Sequence, residues 1–323
     1  MAILGDVYAP HEFRLAIKNE TTVGTANTTQ MQLVNIDPGS VKVSENVFIA
    51  NTPRTGVYRV MRKSDYFSSE KGSIKSISFS GIGNLIIIEY FLTNIIGSTN
   101  YVVPYNYLPA EMKIGDYKTD YDGTMTIALI SPISGNTRLF TGCVIDELTI
   151  TADPTVDGGR WHFSAVALSP CISTDEQATP SQMTDFSTMA YSFYNTTANQ
   201  INDSDVVLSK YSISLKSNVK FYGFDSNGQA QIIARAIPTF DAKIELSAKF
   251  DSNTKSLFQE LADGDDNKIE IYDQVTPTFG IAASYCKLIS EANLSVVNDG
   301  TFVDLVFQPM ASTSGNLIEF ISA

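Results

Sequence analysis

Apolar and polar residues alternate along most of this chain, as in FRLAIKN (13–19), SIKSISFSG (73–81), TMTIALIS (124–131), KYSISLKSN (210–218) and AKIELSAKF (242–250). Successive side chains of a strand point to opposite faces, so a period of two means strands with one buried and one wetted face. Ser, Thr, Val, Ile, Tyr and Phe fill these runs and Gly, Asn and Asp punctuate them, which suits a sandwich or barrel rather than parallel α/β units. Two stretches break the alternation. SNTKSLFQELADGDD (252–266) offers Ser252 or Asn253 as an N-cap, an apolar set at Leu257, Phe258 and Leu261, and Gly264 as a stop, so it predicts a short amphipathic helix. NLIIIEYFLTNII (84–96) has the isoleucine content of a buried strand but the length of a helix, and its matching place in the repeat described below favours helix.

With 323 residues, 43% of them hydrophobic, the chain can bury a sizeable core and is long enough for two domains. No run reaches the ~18 apolar residues of a membrane helix, and MAILGDVYAPHEFRL lacks a basic start and an apolar middle, so synthesis in a cytoplasm is expected. The formal charge of −13 is uneven: residues 1–172 carry 13 basic and 16 acidic groups, and residues 173–323 carry 9 and 19. Such a surface repels phosphate, which argues against a protein that grips nucleic acid. Cys143, Cys171 and Cys286 form no C-x-x-C pair and are expected as buried small hydrophobes.

The order of segments repeats at a distance of about 140 residues. FRLAIKN precedes SIKSISFSG and the 84–96 segment; YSISLKSN precedes AKIELSAKF and the second helix. TMTIALISP then leads to GCVIDELTIT, a Gly turn and RWHFSAVAL, as KIEIYDQVTP leads to YCKLISEANLS, NDG and TFVDLVFQP. A gap of one residue sets Glu147, Thr149 and Thr151 opposite Glu291, Asn293 and Ser295, a carboxylate with small polar residues on one strand face. The polar stretch around 170–209, with Pro170 and Pro180, reads as the connection and carries a possible strand at MAYSFYN, so domains are expected at 1–178 and 179–323.

No catalytic, cofactor or metal motif stands out, and the chain does not read as an enzyme. His11 and His162 have no neighbouring nucleophile or metal partner in sequence. DGDDNKIE (263–270) and DYKTDYDG (116–123) lack the alternating oxygen ligands of a calcium loop, and GIGN (81–84) lacks the third glycine of a dinucleotide fingerprint. The N-x-[ST] triplets at Asn19, Asn27, Asn195, Asn202 and Asn293 reflect a high content of Asn, Ser and Thr.

The succession of strands, short helix and GCxxDELTIT…GG…F hairpin resembles the tail tube (major tail) proteins of long-tailed bacteriophages. The second half carries this most fully, through VVLSKYSISLKSNVKFYGF, AIPTFDAKIELSAKF, TKSLFQELADGDDNKIEIYD and YCKLISEANLSVVNDGTFVDLVFQPM; the first half departs between 20 and 60 and holds a long insertion at 100–123. The resemblance implies a mainly β chain of two tandem tail-tube-type sandwich or barrel domains, each flanked by a short α-helix. It implies a structural virion protein, three copies of which form a pseudo-hexameric ring, with rings stacking into a hollow, acidic conduit for genome ejection. The partners implied are further copies, the tape measure, terminator and baseplate hub proteins, and passing double-stranded DNA that is not tightly bound; no membrane or cofactor is implied, and the location is the virion tail. Lumen candidates are Glu147, Thr149, Thr151, Glu291, Asn293, Ser295 and Asp304; candidates for contact between rings are Val47, Phe48, Ile49, Tyr101, Val102, Val103 and Tyr107, from apolar loops around 40–60 and 100–123. The alternatives are a tube terminator or baseplate hub built on the same domain, or a carbohydrate-binding β-sandwich.

Overall fold

The computed structural model describes residues 12–22, 24–45, 48–51, 66–69, 74–96, 124–132, 137–172, 198–217, 221–224, 230–232, 241–252, 254–255, 266–272, 279–289, 293–297, 300–310 and 318–322. The first half runs β1 (Arg14–Asn19), β2 (Gln32–Val34), β3 (Lys42–Glu45), β4 (Phe48–Asn51), β5 (Tyr66–Ser69), β6 (Lys75–Ile82), α1 (Leu85–Ile96), β7 (Met125–Ile130), β8 (Arg138–Ala152), β9 (Trp161–Ser169) and β10 (Cys171–Ile172). The second runs β11 (Ala198–Ile201), β12 (Ser204–Asp205), β13 (Leu208–Lys216), β14 (Phe221–Phe224), β15 (Ala230–Ile232), β16 (Asp241–Lys249), β17 (Asn267–Tyr272), β18 (Phe279–Leu288), β19 (Asn293–Val297), β20 (Gly300–Pro309) and β21 (Glu319–Ser322). The protein is mainly β: one large antiparallel sheet, two separate hairpins, β4–β5 and β14–β15, and the helix α1.

The ladders of the two halves match. β1 pairs with β2 and β7, as β11 pairs with β12 and β17. β3 pairs with β6 and β6 with β9, as β13 pairs with β16 and β16 with β20. Both β7–β8 and β17–β18 shift register at one place: Met125 faces Cys143 before Ile127 faces Phe140, and Asn267 faces Cys286 before Ile269 faces Ala283. At each bulge the cysteine thiol donates to the carbonyl three residues back, Phe140 at 3.3 Å and Ala283 at 3.9 Å. Both cysteines are buried, as expected; burial, with the Asp266 charge adding to it, pushes the Cys286 thiol up to about 12. Cys171 lies in β10.

This pairing corrects the matching of segments read from order alone. The counterpart of FRLAIKN is the short strand ANQI (198–201), and YSISLKSN matches β3 instead. Four residues are too few for alternation to register, whereas a partner strand identifies them by hydrogen bonding. Residues 40–60, expected as a loop, contain β3 and β4.

The 84–96 segment is a helix. Asn84 caps it, its Oδ1 accepting the Ile87 N–H at 2.9 Å while its carbonyl accepts that of Ile88 at 3.0 Å. Ile87, Ile88, Phe91, Leu92 and Ile95 are buried, and Phe91 meets Phe79 and Phe163 at ring-centroid distances of 5.7 and 5.2 Å. Asn94, also buried, accepts the Ile145 N–H at 2.5 Å and donates to the Cys143 carbonyl at 3.3 Å. Burial against β8 thus outweighs the modest helix propensity of isoleucine. Of the second expected helix only the start is described. Its cap is Asp251, not Ser252 or Asn253: the Thr254 N–H donates to the Asp251 carboxylate at 3.3 Å and the Asp251 N–H to Thr254 Oγ1 at 2.9 Å.

A single carboxylate holds the bend of β8. Gly142 has a φ of 63°, and its N–H donates to Glu20 Oε1 at 2.9 Å; Thr126 Oγ1 donates to the same oxygen at 2.9 Å. The other oxygen accepts the Gly24 N–H and Thr124 Oγ1, both at 2.7 Å. Glu20 is buried, so these four donors take the place of water. Glu20→Gln places an amide NH2 against a backbone N–H that cannot reverse. We expect a loss of about 2 kcal/mol in unfolding free energy, measured by urea titration with Trp161 fluorescence.

Candidate functional site: the polar face of the shared sheet

The two repeats share one sheet. β8 and β13 pair antiparallel over six residues, from Tyr211 opposite Ala152 to Lys216 opposite Glu147. The strands β3, β6, β9, β8, β13, β16, β20 and β19 therefore follow one another edge to edge. Cross-strand neighbours share a face, so register alone assembles the surface. One row is Lys42, Ser78, Val166, Glu147, Lys216 and Asp241; the next is Ser80, Ser164, Thr149, Ser214 and Lys243. A third runs Ile82, His162, Thr151, Ser212, Glu245 and Val306, and a fourth Lys210, Ser247, Asp304 and Asn293. On the reverse face Leu148 opposes Leu215 and Ile150 opposes Ile213, all buried in the main core.

The seam between β8 and β13 is polar on this face and bonded throughout. Glu147 forms an ion pair with Lys216, Thr149 Oγ1 lies 3.1 Å from Ser214 Oγ, and Thr151 Oγ1 lies 3.3 Å from Ser212 Oγ. The Glu147 carboxylate, by hydrogen bond first and charge second, holds the Lys216 ammonium above the ordinary lysine range. Both side chains are about half exposed, so the pair contributes little to stability. Lys243 and Glu245, both on the adjoining strand β16, form a second ion pair. Two open grooves run along this face, one between Glu147, Ser214 and Lys243, the other between Thr151, Lys210, Glu245 and Asp304.

Of the expected lumen residues, Glu147, Thr149, Thr151, Asn293, Ser295 and Asp304 occupy this one face, with Asn293 opposite Asp304 and Ser295 opposite Phe302. Thr149 and Asn293 hold equivalent places: Thr149 faces Ser164 and then Ser80, four residues before the cap Asn84, and Asn293 faces Asp304 and then Ser247, four before the cap Asp251. Glu291 lies outside the described residues, as do Val47, Tyr101, Val102, Val103 and Tyr107. Phe48 and Ile49 belong to β4, paired with Ser69 and Ser68 of β5. The face also carries Ser76, Ser78, Ser80, Ser164, Ser212 and Ser214, which were not singled out from sequence. Their signal was present in the alternate serines of SIKSISFSG and YSISLKS.

The described face is charge-balanced rather than acidic: Lys42, Lys210, Lys216, Lys243 and Lys249 stand against Glu147, Asp241, Glu245 and Asp304. The excess negative charge of the chain lies elsewhere.

His162 Nε2 lies 3.1 Å from Asp37 Oδ2, and the Ser80 hydroxyl donates to that same oxygen at 2.7 Å. The serine is thus bonded to the carboxylate and not to the imidazole, so the trio lacks the nucleophile-to-base contact of acyl transfer. Among the described residues no three His, Cys, Asp or Glu side chains gather as metal ligands, and Asp266 of the acidic stretch 263–270, just before β17, pairs with Lys287 at 2.7 Å. No helix among them is long and apolar enough to cross a membrane. In comparison with known proteins, no family model matches this chain and no curated protein is significantly similar to it in sequence.

Proposed function

We propose that this chain is a structural subunit of a phage tail tube, forming rings that stack into a conduit for DNA. The observation that carries the reading is the joining of two like-ordered ladders, edge to edge, into one sheet with a continuous polar face. Such a sheet is one arc of a larger closed surface, with two tandem domains filling two of six equivalent places and three chains completing the ring. The hydroxyl-rich face lines the bore. Its charges are compensated in pairs such as Glu147 with Lys216, so phosphates meet neither a cationic grip nor bare carboxylates. Hairpins β4–β5, with Phe48 and Ile49, lie off this sheet and serve contact between rings, together with the 100–123 segment. In this reading the partners are further copies, the tape measure, terminator and baseplate hub, and the location is the virion tail after synthesis in the host cytoplasm.

Electron microscopy of the purified protein and of virions tests this directly. Stacked rings with an axial hole are expected; monomers at high concentration with no such rings in virions overturn it. Glu147→Lys sets an ammonium group beside Lys216 and, combined with Glu291→Lys, gives passing phosphates a foothold. Rings should still assemble, and DNA ejection should slow by roughly tenfold in low salt and recover in high salt, because phosphate contacts weaken as counterions compete. Unchanged ejection removes this face from the bore.

A further inference from the structure

The eight-strand run has two open ends. Among the described residues β3 pairs with β6 alone and β19 with β20 alone. Each end has a counterpart already paired inside the chain. β3 corresponds to β13, since Lys42 faces Ser78 as Ser212 faces Glu245, and Ser78 and Glu245 each stand six residues before their helix caps. β19 corresponds to the last part of β8 through the equivalence of Asn293 with Thr149. The seam that joins β8 to β13 therefore has an unfilled copy made of β19 and β3.

We propose that β19 of one chain pairs antiparallel with β3 of a second copy, in the register of the internal seam. Thr149 opposite Ser214 becomes Asn293 opposite Ser44, and Ile150 opposite Ile213 becomes Leu294 opposite Val43. Thr151 opposite Ser212 becomes Ser295 opposite Lys42, and Ala152 opposite Tyr211 becomes Val296 opposite Val41. Polar residues thus meet polar ones on the polar face of the sheet, and four apolar residues meet on the core side. The exposure pattern marks what is missing. Leu294 is 61% and Val296 76% exposed, while Ile150 and Ala152 in the same places are 1% and 0% exposed under β13. Val43 and Val41, which would lie against them, already pack on the edge of the core. An open strand edge carrying apolar side chains is an association surface, and continuity with the internal seam selects a second copy of this chain as its occupant.

The contact is head to tail, so a dimer leaves one edge of each kind open and the chain of contacts continues until it closes. This deepens the tube reading by naming the seam, and rests on it for the presence of a ring. The outer seam is the weaker of the two. Trp161 Nε1 donates to Tyr211 across the internal seam at 2.7 Å, whereas the corresponding residues of the outer seam, Thr301 and Val41, hold no such pair. The subunit is accordingly held together before it meets its neighbours.

The test is Ser44→Cys combined with Asn293→Cys in a Cys171→Ser chain, oxidised and run on a non-reducing gel, beside Ser44→Cys with Leu294→Cys. Directly opposed residues of an antiparallel pair meet the spacing of a disulfide, and a slip of one residue turns the thiols to opposite faces. The first pair should therefore cross-link chains roughly tenfold more than the second. A further variant, Leu294→Lys with Val296→Lys, alters side chains that are exposed in the single chain; by circular dichroism it should stay folded, and by sedimentation it should be monomeric. Equal linking by both pairs, or assembly undiminished in the double-lysine variant, overturns the seam. Rings without the cross-link sink the seam and leave the tube standing; the cross-link without rings sinks the tube and leaves the seam.

Discussion

Gly81→Ala is expected to lower the unfolding free energy by about 4 kcal/mol, among the largest effects of any single methyl group in this protein. A Cβ at this position would lie 1.9 Å from the Asn35 carbonyl oxygen and 2.8 Å from Ile36 Cα, because the segment 35–37 forms an antiparallel bridge with β6 there. The obstacle is backbone and cannot rotate aside. Moving it breaks the bonds that hold the bridge: Ile82 N–H to Asn35 O at 3.0 Å, Asp37 N–H to Ser80 O at 2.8 Å, and Ser80 Oγ to Asp37 at 2.7 Å. Gly83→Ala is the control, since its Cβ would meet side chains and no backbone, Ile88 at 3.1 Å and Phe163 at 3.6 Å, and a loss of about 1 kcal/mol is expected. Urea unfolding of the two variants separates them. In the second repeat the same place holds Ala248, fully buried, where Leu208 pairs with it and the Val207 carbonyl accepts the Lys249 N–H at 2.8 Å, so the obstacle at Gly81 is the particular path of residues 35–36.

Trp161→Ala should cost a similar amount, about 4 kcal/mol from lost burial and the cavity left behind. Trp161 is the one tryptophan of the chain, is buried, and donates to Tyr211 Oη of the other repeat. It stands in the row Trp161, Ala152, Tyr211, which crosses the internal seam. The small Ala152 leaves the two large rings room to meet over it. Unfolding should be followed by far-ultraviolet circular dichroism, since the substitution removes the fluorophore. Tyr211→Phe keeps the ring and removes the acceptor, leaving the indole N–H without this bond; a loss of about 1.5 kcal/mol is expected, with Trp161 fluorescence as the readout. If Tyr211→Phe has no effect, this hydrogen bond adds nothing to the ladder, the apolar contacts and the polar side-chain pairs that join the two repeats.

The alternation in SIKSISFSG, YSISLKS and AKIELSAKF determined that this protein is β-rich and which side chains share a strand face. Repeated order placed Glu147 beside Thr149 and Thr151, and Asn293 beside Ser295, on their polar sides, because period two is a local property of the extended chain. The isoleucine-rich segment at 84–96 carried its own cap in Asn84 but needed the core around β8 to become a helix. Four-residue strands such as ANQI, and the cap Asp251, were not separable from their flanks until partners identified them. Sequence alone did not decide which strands are neighbours. That β8 pairs with β13, that Glu147 is neutralised by Lys216, and that Leu294 stands uncovered at an open edge follow from contacts between residues far apart in the chain. Such contacts form only when packing of the common core brings the strands together, and register, once set, carries every side chain of a strand to one face or the other.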